Sequence, residues 1–191
     1  MGELKSAFER ALEKADGLGT LSPQEMRGLK EAEFVPVGRA LAERYLGHGH
    51  TRVLSDEASR YHGEERDIVS RAALERLVEA IDVREGERSE RALAAIPALA
   101  GAGHAAEAIG AIRGLLEEHR QAVEQRFSQQ REQRERQIRE LLHQMRIAGS
   151  AVGDVNPSSS DAWRQDAHEL DARFDERLGE LKGQLRASLP R

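Results

Sequence analysis

Between residues 161 and 187 the apolar positions are Trp163, Ala167, Leu170, Phe174, Leu178, Leu181 and Leu185, and the positions between them are mostly charged or small. The steps of 4, 3, 4, 4, 3 and 4 match the 3.6-residue period of an α-helix, so the spacing predicts a helix with one apolar face. A serine at 158–160 is placed to cap it. Upstream, from His104 to about Ile147, there is no proline, and Gly110 and Gly114 are the interruptions. Apolar residues recur there every eleven positions, at Ala105, Leu116, Phe127 and Ile138, with Ile112, Val123 and Met145 beside them. Eleven residues in three turns predicts a straight or slightly right-handed pairing. About 44 residues at about 1.5 Å each make a rod of about 65 Å. Its stretch SQQREQRERQ (128–137) has no apolar residue, which predicts a solvated or loosely packed segment. Gly149 closes the rod, and the breaker-rich GSAVGDVNPSSS follows as a loop. A stripe as regular as the last helix's needs an apolar partner. The nearest in sequence is the rod, so the pattern predicts an antiparallel hairpin over 101–191 with its loop at about 148–160.

The first hundred residues carry shorter patterns. Leu4, Phe8, Ala11, Leu12 and Ala15 share one helical face, ended by Gly17 and Gly19. In LSPQE, Ser22 can cap, Pro23 suits the first helical position and Glu25 completes a capping box. That second helix is expected to reach about Phe34. Pro36 bars its continuation, and Val37, Leu41 and Leu46 begin a third. A short helix is predicted over Val53–Tyr61. After Gly63 a wide apolar face (Ile68, Val69, Ala72, Ala73, Leu77, Val78, Ile81) predicts a helix central to a bundle, with Arg71, Glu75, Arg76 and Glu79 toward water. Another spans about Arg88–Leu99, kinked or ended by Pro97. No segment alternates convincingly and no repeat is visible, so no strand is predicted. The expected fold is all-α: a small bundle of short helices (1–100) followed by a long, coiled-coil-like helical hairpin (101–191).

Composition sharpens this picture. Aromatics make up only 4% of the 191 residues, so the core must come from Leu, Ala, Val and Ile, which favours an elongated helical body. The net charge of -5 is interleaved and there is no basic block, which gives no reason to expect nucleic acid as partner. The absence of cysteine excludes disulfides, thiolate metal sites and cysteine nucleophiles, and suits a cytoplasmic location. MGELKSAFERALEKA lacks the apolar core of a signal peptide. Met1-Gly2 followed by Ser6 fits a myristoylation pattern superficially. No run of about 18 apolar residues exists, so no membrane-spanning helix is expected.

The segment IAGSAVGDVNPSSSDAW (147–163), with Gly149, Ser150, Ala151, Val152, Asn156, Pro157 and Trp163, resembles uncharacterised bacterial all-helical proteins that carry a Gly-Ser-Ala-Val segment and a Pro/Asn pair before a Trp and a final charged helix. Gly153, Asp154 and Val155 depart from that pattern as an insertion. ALEKADGLGTLSPQE is similar in the same context. The resemblance implies an all-helical bacterial protein and carries over no catalytic residue.

Candidate chemistry is sparse. GHGHTRVLSDEASRYHG (47–63) holds His48, His50 and His62 with Asp56 and Glu57. Two histidines around a glycine can meet one ion if the backbone is extended, and His62 could swing back, which suits Zn2+ or Ni2+. The motif lacks the His-Glu-x-x-His spacing of catalytic zinc sites, and a solvated bend between helices explains the same residues. GAGHAA (101–106) reads G-x-G-x-x-A, with Glu124 at the spacing of a ribose-binding acid. The Ala-rich segment before it is a poor strand, so a joint between bundle and rod fits better. No Ser-His or carboxylate pair stands apart from the charged helical faces, so no catalytic residue is assigned and the reading leans away from an enzyme. The amphipathic arm is either internal packing or an association seam. As a seam it would comprise Trp163, Leu170, Phe174, Leu178, Leu181, Leu185, Phe127 and Ile138, with Trp163 as anchor. The expectation is a non-enzymatic interaction or assembly protein without a cofactor, its partner a protein and first of all a second copy. The alternative is a metal-binding or metal-sensing protein using the histidines at 48–62.

Overall fold

A computed structural model of the chain describes residues 22–49, 51–101, 103, 105–146 and 155–190. The helix expected at 3–16, His50, Gly149 and the tip of the 148–160 loop lie outside the described residues. The described residues form six α-helices, one 3-10 turn and no strand, so the fold is all-α.

Helix α1 (Pro23–His48) starts where the capping box requires: Glu25 N donates to Ser22 Oγ (3.2 Å) and Ser22 N donates to Glu25 Oε2 (2.8 Å). It runs through Pro36 as one helix, where the sequence predicts two. Pro36 removes the bond that Ala32's carbonyl would accept, and both residues are exposed, so water takes up that carbonyl. On the opposite side Phe34, Val37, Gly38 and Leu41 hold the continuation against the core. Gly38 is where α1 comes closest to the central helix. A Cβ there would stand 2.3 Å from the Val69 carbonyl oxygen and 2.8 Å from Ala72 Cβ. Gly49, at φ 74°, ends α1 by donating to Tyr45 O (2.7 Å).

Helices α2 (Thr51–Ala58), α3 (Gly63–Glu79) and α4 (Gly86–Ala100) complete the bundle. The wide apolar face of α3 is buried from Ile68 to Val78, and α3 touches α1, α2, α4 and the last helix. Pro97 sits inside α4, which ends three residues later. Tyr45 Oη donates to Arg91 O (3.1 Å) and Arg91 donates back to Leu46 O (3.0 Å), which ties α1 to α4.

Helix α5 (Ala106–Gln144) is the rod, 39 residues and about 58 Å long. After the 3-10 turn at Pro157–Ser159, α6 (Asp161–Ser188) returns along it for 28 residues, about 42 Å. Ser160 caps α6 by accepting from Trp163 N (3.2 Å). The pairs Arg126–Asp166, His119–Asp171 and Glu118–Arg177 fall on one helix as they rise on the other, so the two are antiparallel, as the stripe predicts. The eleven-residue row is buried at Ala105 and half-buried at Leu116, Phe127 and Ile138, and of the residues expected beside it Ile112 is buried, Val123 half-buried and Met145 60% exposed. One apolar cluster runs from Leu41 in α1 to Leu185 in α6, past residue 100, where the sequence reading divides the chain. Arg186–Glu75 (2.8 Å) and Lys182 Nζ donating to Glu79 O (3.4 Å) join α6 to α3.

Candidate functional site

Two surfaces of the hairpin carry chemistry that packing alone does not use. The first begins at the α3–α4 connection. Ser89, fully buried, accepts from Asp82 N (2.8 Å) and donates to Asp82 O (2.8 Å), which pins that turn to α4. Asp82 in turn accepts from Arg84 N (2.8 Å), Nε (2.8 Å) and Nη2 (3.0 Å). The Arg84 side-chain bonds hold the Asp82 carboxyl below its usual range in spite of partial burial. Arg84 reaches on to Asp175 of α6 (3.1 Å), so the turn is fastened to the hairpin.

Opposite this turn, His119 of α5 occupies an inward position of the rod, with 8% of its side chain exposed. Its Nε2 lies 2.8 Å from Asp171 Oδ1 on α6, and its ring packs edge-on against Phe174 with centroids 5.1 Å apart. A carboxylate only accepts, so this contact places a proton on Nε2. Among the described residues no buried side-chain nitrogen or oxygen lacks a hydrogen-bond partner. His119 also lines an open volume beside this contact. That volume is a cleft of about 620 Å³ between the α3–α4 turn, the start of α4 and the two hairpin helices. Val83, Leu116, Val123 and Ala167 give it apolar walls, and Arg113 and Arg120 stand at its side. Arg113 pairs with Glu90 (2.6 Å) and Arg120 with Glu117 (2.7 Å). The bonds from Arg120, then Gln121, hold the Glu117 carboxyl down at about 2. The lining contains no serine, threonine, cysteine, lysine or tyrosine; its polar side chains are arginines, carboxylates and His119.

The second surface is the free end of α5. Ser160, Asp161 and Ala162 at the start of α6 lie level with Gln130–Gln137, so the turns beyond have no α6 beside them. Ile138, Leu141, Leu142 and Met145 fall at i, i+3, i+4 and i+7, one face of the helix. Leu141 is 56% exposed and Met145 60%. Alternating charges flank the row, with Glu132–Arg136 (3.2 Å) and Glu135–Arg139 (3.4 Å) as i, i+4 pairs.

The residues proposed as a seam are distributed unevenly. Phe174, Leu178 and Leu185 are buried inside this chain. Leu170 and Leu181 pack half-buried against the same core. Trp163 and Phe127 meet edge-on at 5.0 Å across the hairpin. Ile138 is half-buried at the start of the free end. Of the three histidines, His48 and His62 are exposed at opposite ends of the α1–α3 connection and His50 lies outside the described residues. Among the described residues no three His, Cys, Asp or Glu side chains converge as metal ligands. Sequence reasoning missed His119 and Asp171. The signal was there: each interrupts a stripe, His119 seven residues after Ile112 and Asp171 four after Ala167.

An all-helical bundle carrying a hairpin with unequal arms, a cleft at its root and an apolar row at the far end of its longer arm is thus the class of protein that the structure defines. A family model covers residues 55–187 of it, across α2 to α6, and the chain belongs to that family, the family of unknown function DUF6657. The match takes in both surfaces and His62, and leaves out His48 and His50. Neither a search of curated proteins nor one of solved structures finds a match.

Proposed function

We propose that this protein is a non-enzymatic assembly protein that self-associates through the free end of α5. The observation that supports this is the apolar row Ile138, Leu141, Leu142 and Met145 on helical turns that α6 does not reach, with Leu141 and Met145 more than half exposed. A thin helix end with neighbouring exposed leucine and methionine loses apolar hydration when a second helix covers it. The mixture of arginine and glutamate beside the row fits a second copy better than a strongly charged partner. An antiparallel copy can set Arg136 and Arg139 near Glu135 and Glu140, whereas a single-sign partner meets repulsion on half of the surface. The remainder of the Leu/Phe/Trp seam serves the internal hairpin, and so makes the rod stiff enough to present its end.

Sedimentation equilibrium over a wide concentration range tests this. The wild-type mass is expected to rise from one chain toward two. Leu141→Glu/Met145→Glu is expected to remain a single chain with unchanged helical circular dichroism, since both positions are solvent-facing in the monomer. A wild type that keeps the mass of one chain throughout, or a double variant that associates as the wild type does, overturns the reading.

A further inference from the structure

We propose that the outer face of α1 is the docking surface of the chain's own residues 3–16. Helix α1 is apolar on two sides. One side, with Val37, Leu41 and Tyr45, faces the core. The other, with Met26, Leu29, Ala32, Pro36 and Ala40, steps by 3, 3, 4 and 4 along a second face, and each of these residues is exposed. Met26 is 51% exposed and Leu29 58%. Lys30 pairs with Glu64 at the start of α3, so the turns of α1 before Lys30 extend past the end of α3, and residues 22–29 are all exposed. The uncovered stripe is about 21 Å long. Leucine and methionine on it lose apolar hydration when another helix lies along them.

The chain before Ser22 supplies a matching stripe. Leu4, Phe8, Ala11, Leu12 and Ala15 share one helical face by their spacing. From Leu4 to Ala15 that face runs about 17 Å, against about 15 Å from Met26 to Pro36. Only the stretch from Gly17 to Ser22 separates the two segments. A connection this short makes consecutive helices antiparallel neighbours. With the two ends level across it, Leu12 comes level with Met26, Phe8 with Leu29 and Ala32, and Leu4 with Pro36. Charge agrees with this register, because on one flank Lys5 falls beside Glu33 and Glu9 beside Lys30. Glu33 has no ion pair among the described residues. A helix of about 14 residues is marginal in water by itself, so residues 3–16 need a covering surface. A second copy is the competing occupant. The short connection, however, holds the chain's own segment at an effective concentration on the order of millimolar, which a second copy matches only in very concentrated protein.

The chain has no cysteine, so an engineered pair reports a single approach. Ala11→Cys/Leu29→Cys links the two apolar faces, whereas Arg10→Cys/Leu29→Cys turns one partner away from them by a shift of one residue. In dilute full-length protein the first pair is expected to close an intramolecular disulfide about tenfold faster than the second, or more. Circular dichroism gives an independent reading. Phe8→Glu/Leu12→Glu is expected to remove helical signal equivalent to about 14 residues. Met26→Glu/Leu29→Glu is expected to remove as much, although it alters no residue of 3–16 and glutamate near the start of α1 suits the helix dipole. Leu141→Glu/Met145→Glu is expected to leave all these readings unchanged, which separates this face from self-association through α5. The proposal is overturned if both cysteine pairs close at the same rate, if the disulfide in dilute protein joins two chains, or if either glutamate variant of the two stripes keeps the wild-type helical signal.

Discussion

At Gly38 a single missing methyl group sets the spacing of two helices. The Val69 carbonyl and Ala72 Cβ occupy the place that a side chain would need, and neither is the movable end of a long residue. Gly38→Ala therefore must push α1 off α3 or bend one of them, and it is expected to lower stability by about 1–3 kcal/mol in urea denaturation, even though alanine is the better helix former. Asp82 gives a pH-dependent counterpart. Its carboxyl is held below the ordinary value, first by the side-chain bonds from Arg84. A carboxyl lowered in the folded state stabilises above its unfolded pKa of about 4 and loses that contribution as pH falls through the folded value. The difference in melting temperature between wild type and Asp82→Asn is thus expected to be constant near neutrality and to shrink below about pH 4. Little of this was legible in the sequence. Gly38 reads as an ordinary helix weakness, and Asp82 and Ser89 are seven apart, a separation that no motif marks. His119 and Asp171 were legible in principle, because a polar residue at an inward register position announces a partner. Which partner is a matter of hairpin register, and a stripe that tolerates a shift of one turn does not fix it.

Among the elements, the hairpin was the most legible part and α1 the least. Stripes of seven apolar residues in α6 and an eleven-residue repeat in α5 are long enough to override every local irregularity, Gly110 and Gly114 included. Proline is a weaker signal than it looks. Pro36 removes one bond, and whether the helix ends there depends on which way it faces: outward, over an exposed Ala32 carbonyl, the loss goes to water. The sequence pattern around it, Phe34, Val37 and Leu41, already placed Pro36 on the outer face, so the break could have been doubted. Pro36→Ala restores the bond without disturbing the core, and is expected to raise stability by about 1–3 kcal/mol. Ser160 works in the opposite direction. Ser160→Ala leaves Trp163 N without its acceptor and is expected to cost about 1 kcal/mol, seen as a lower urea midpoint. The histidines between α1 and α3 show the limit of composition: three of a kind in seventeen residues are conspicuous, yet His48 ends one helix and His62 precedes another, each facing water.

For the molecule as a whole the decisive contact is Leu185. It is fully buried at the far end of α6, in the same cluster as Leu77 and Ile96, and it binds the return arm of the hairpin to the bundle. A rod and a bundle that met only at their connection would unfold separately. A core that runs through both should make them unfold together. The chain carries its own probe, because its one tryptophan, Trp163, sits on the far half of the hairpin against Phe127, while circular dichroism reads all helices at once. Tryptophan fluorescence and circular dichroism are expected to give one urea midpoint in the wild type. Leu185→Ala opens a cavity where bundle and hairpin join, and is expected to cost about 2–5 kcal/mol and to move both midpoints by the same amount. An earlier midpoint by fluorescence than by circular dichroism in the wild type would mean that the hairpin loosens first. The cleft at its root, which needs α4, α5 and α6 in register, would then exist only below that first transition.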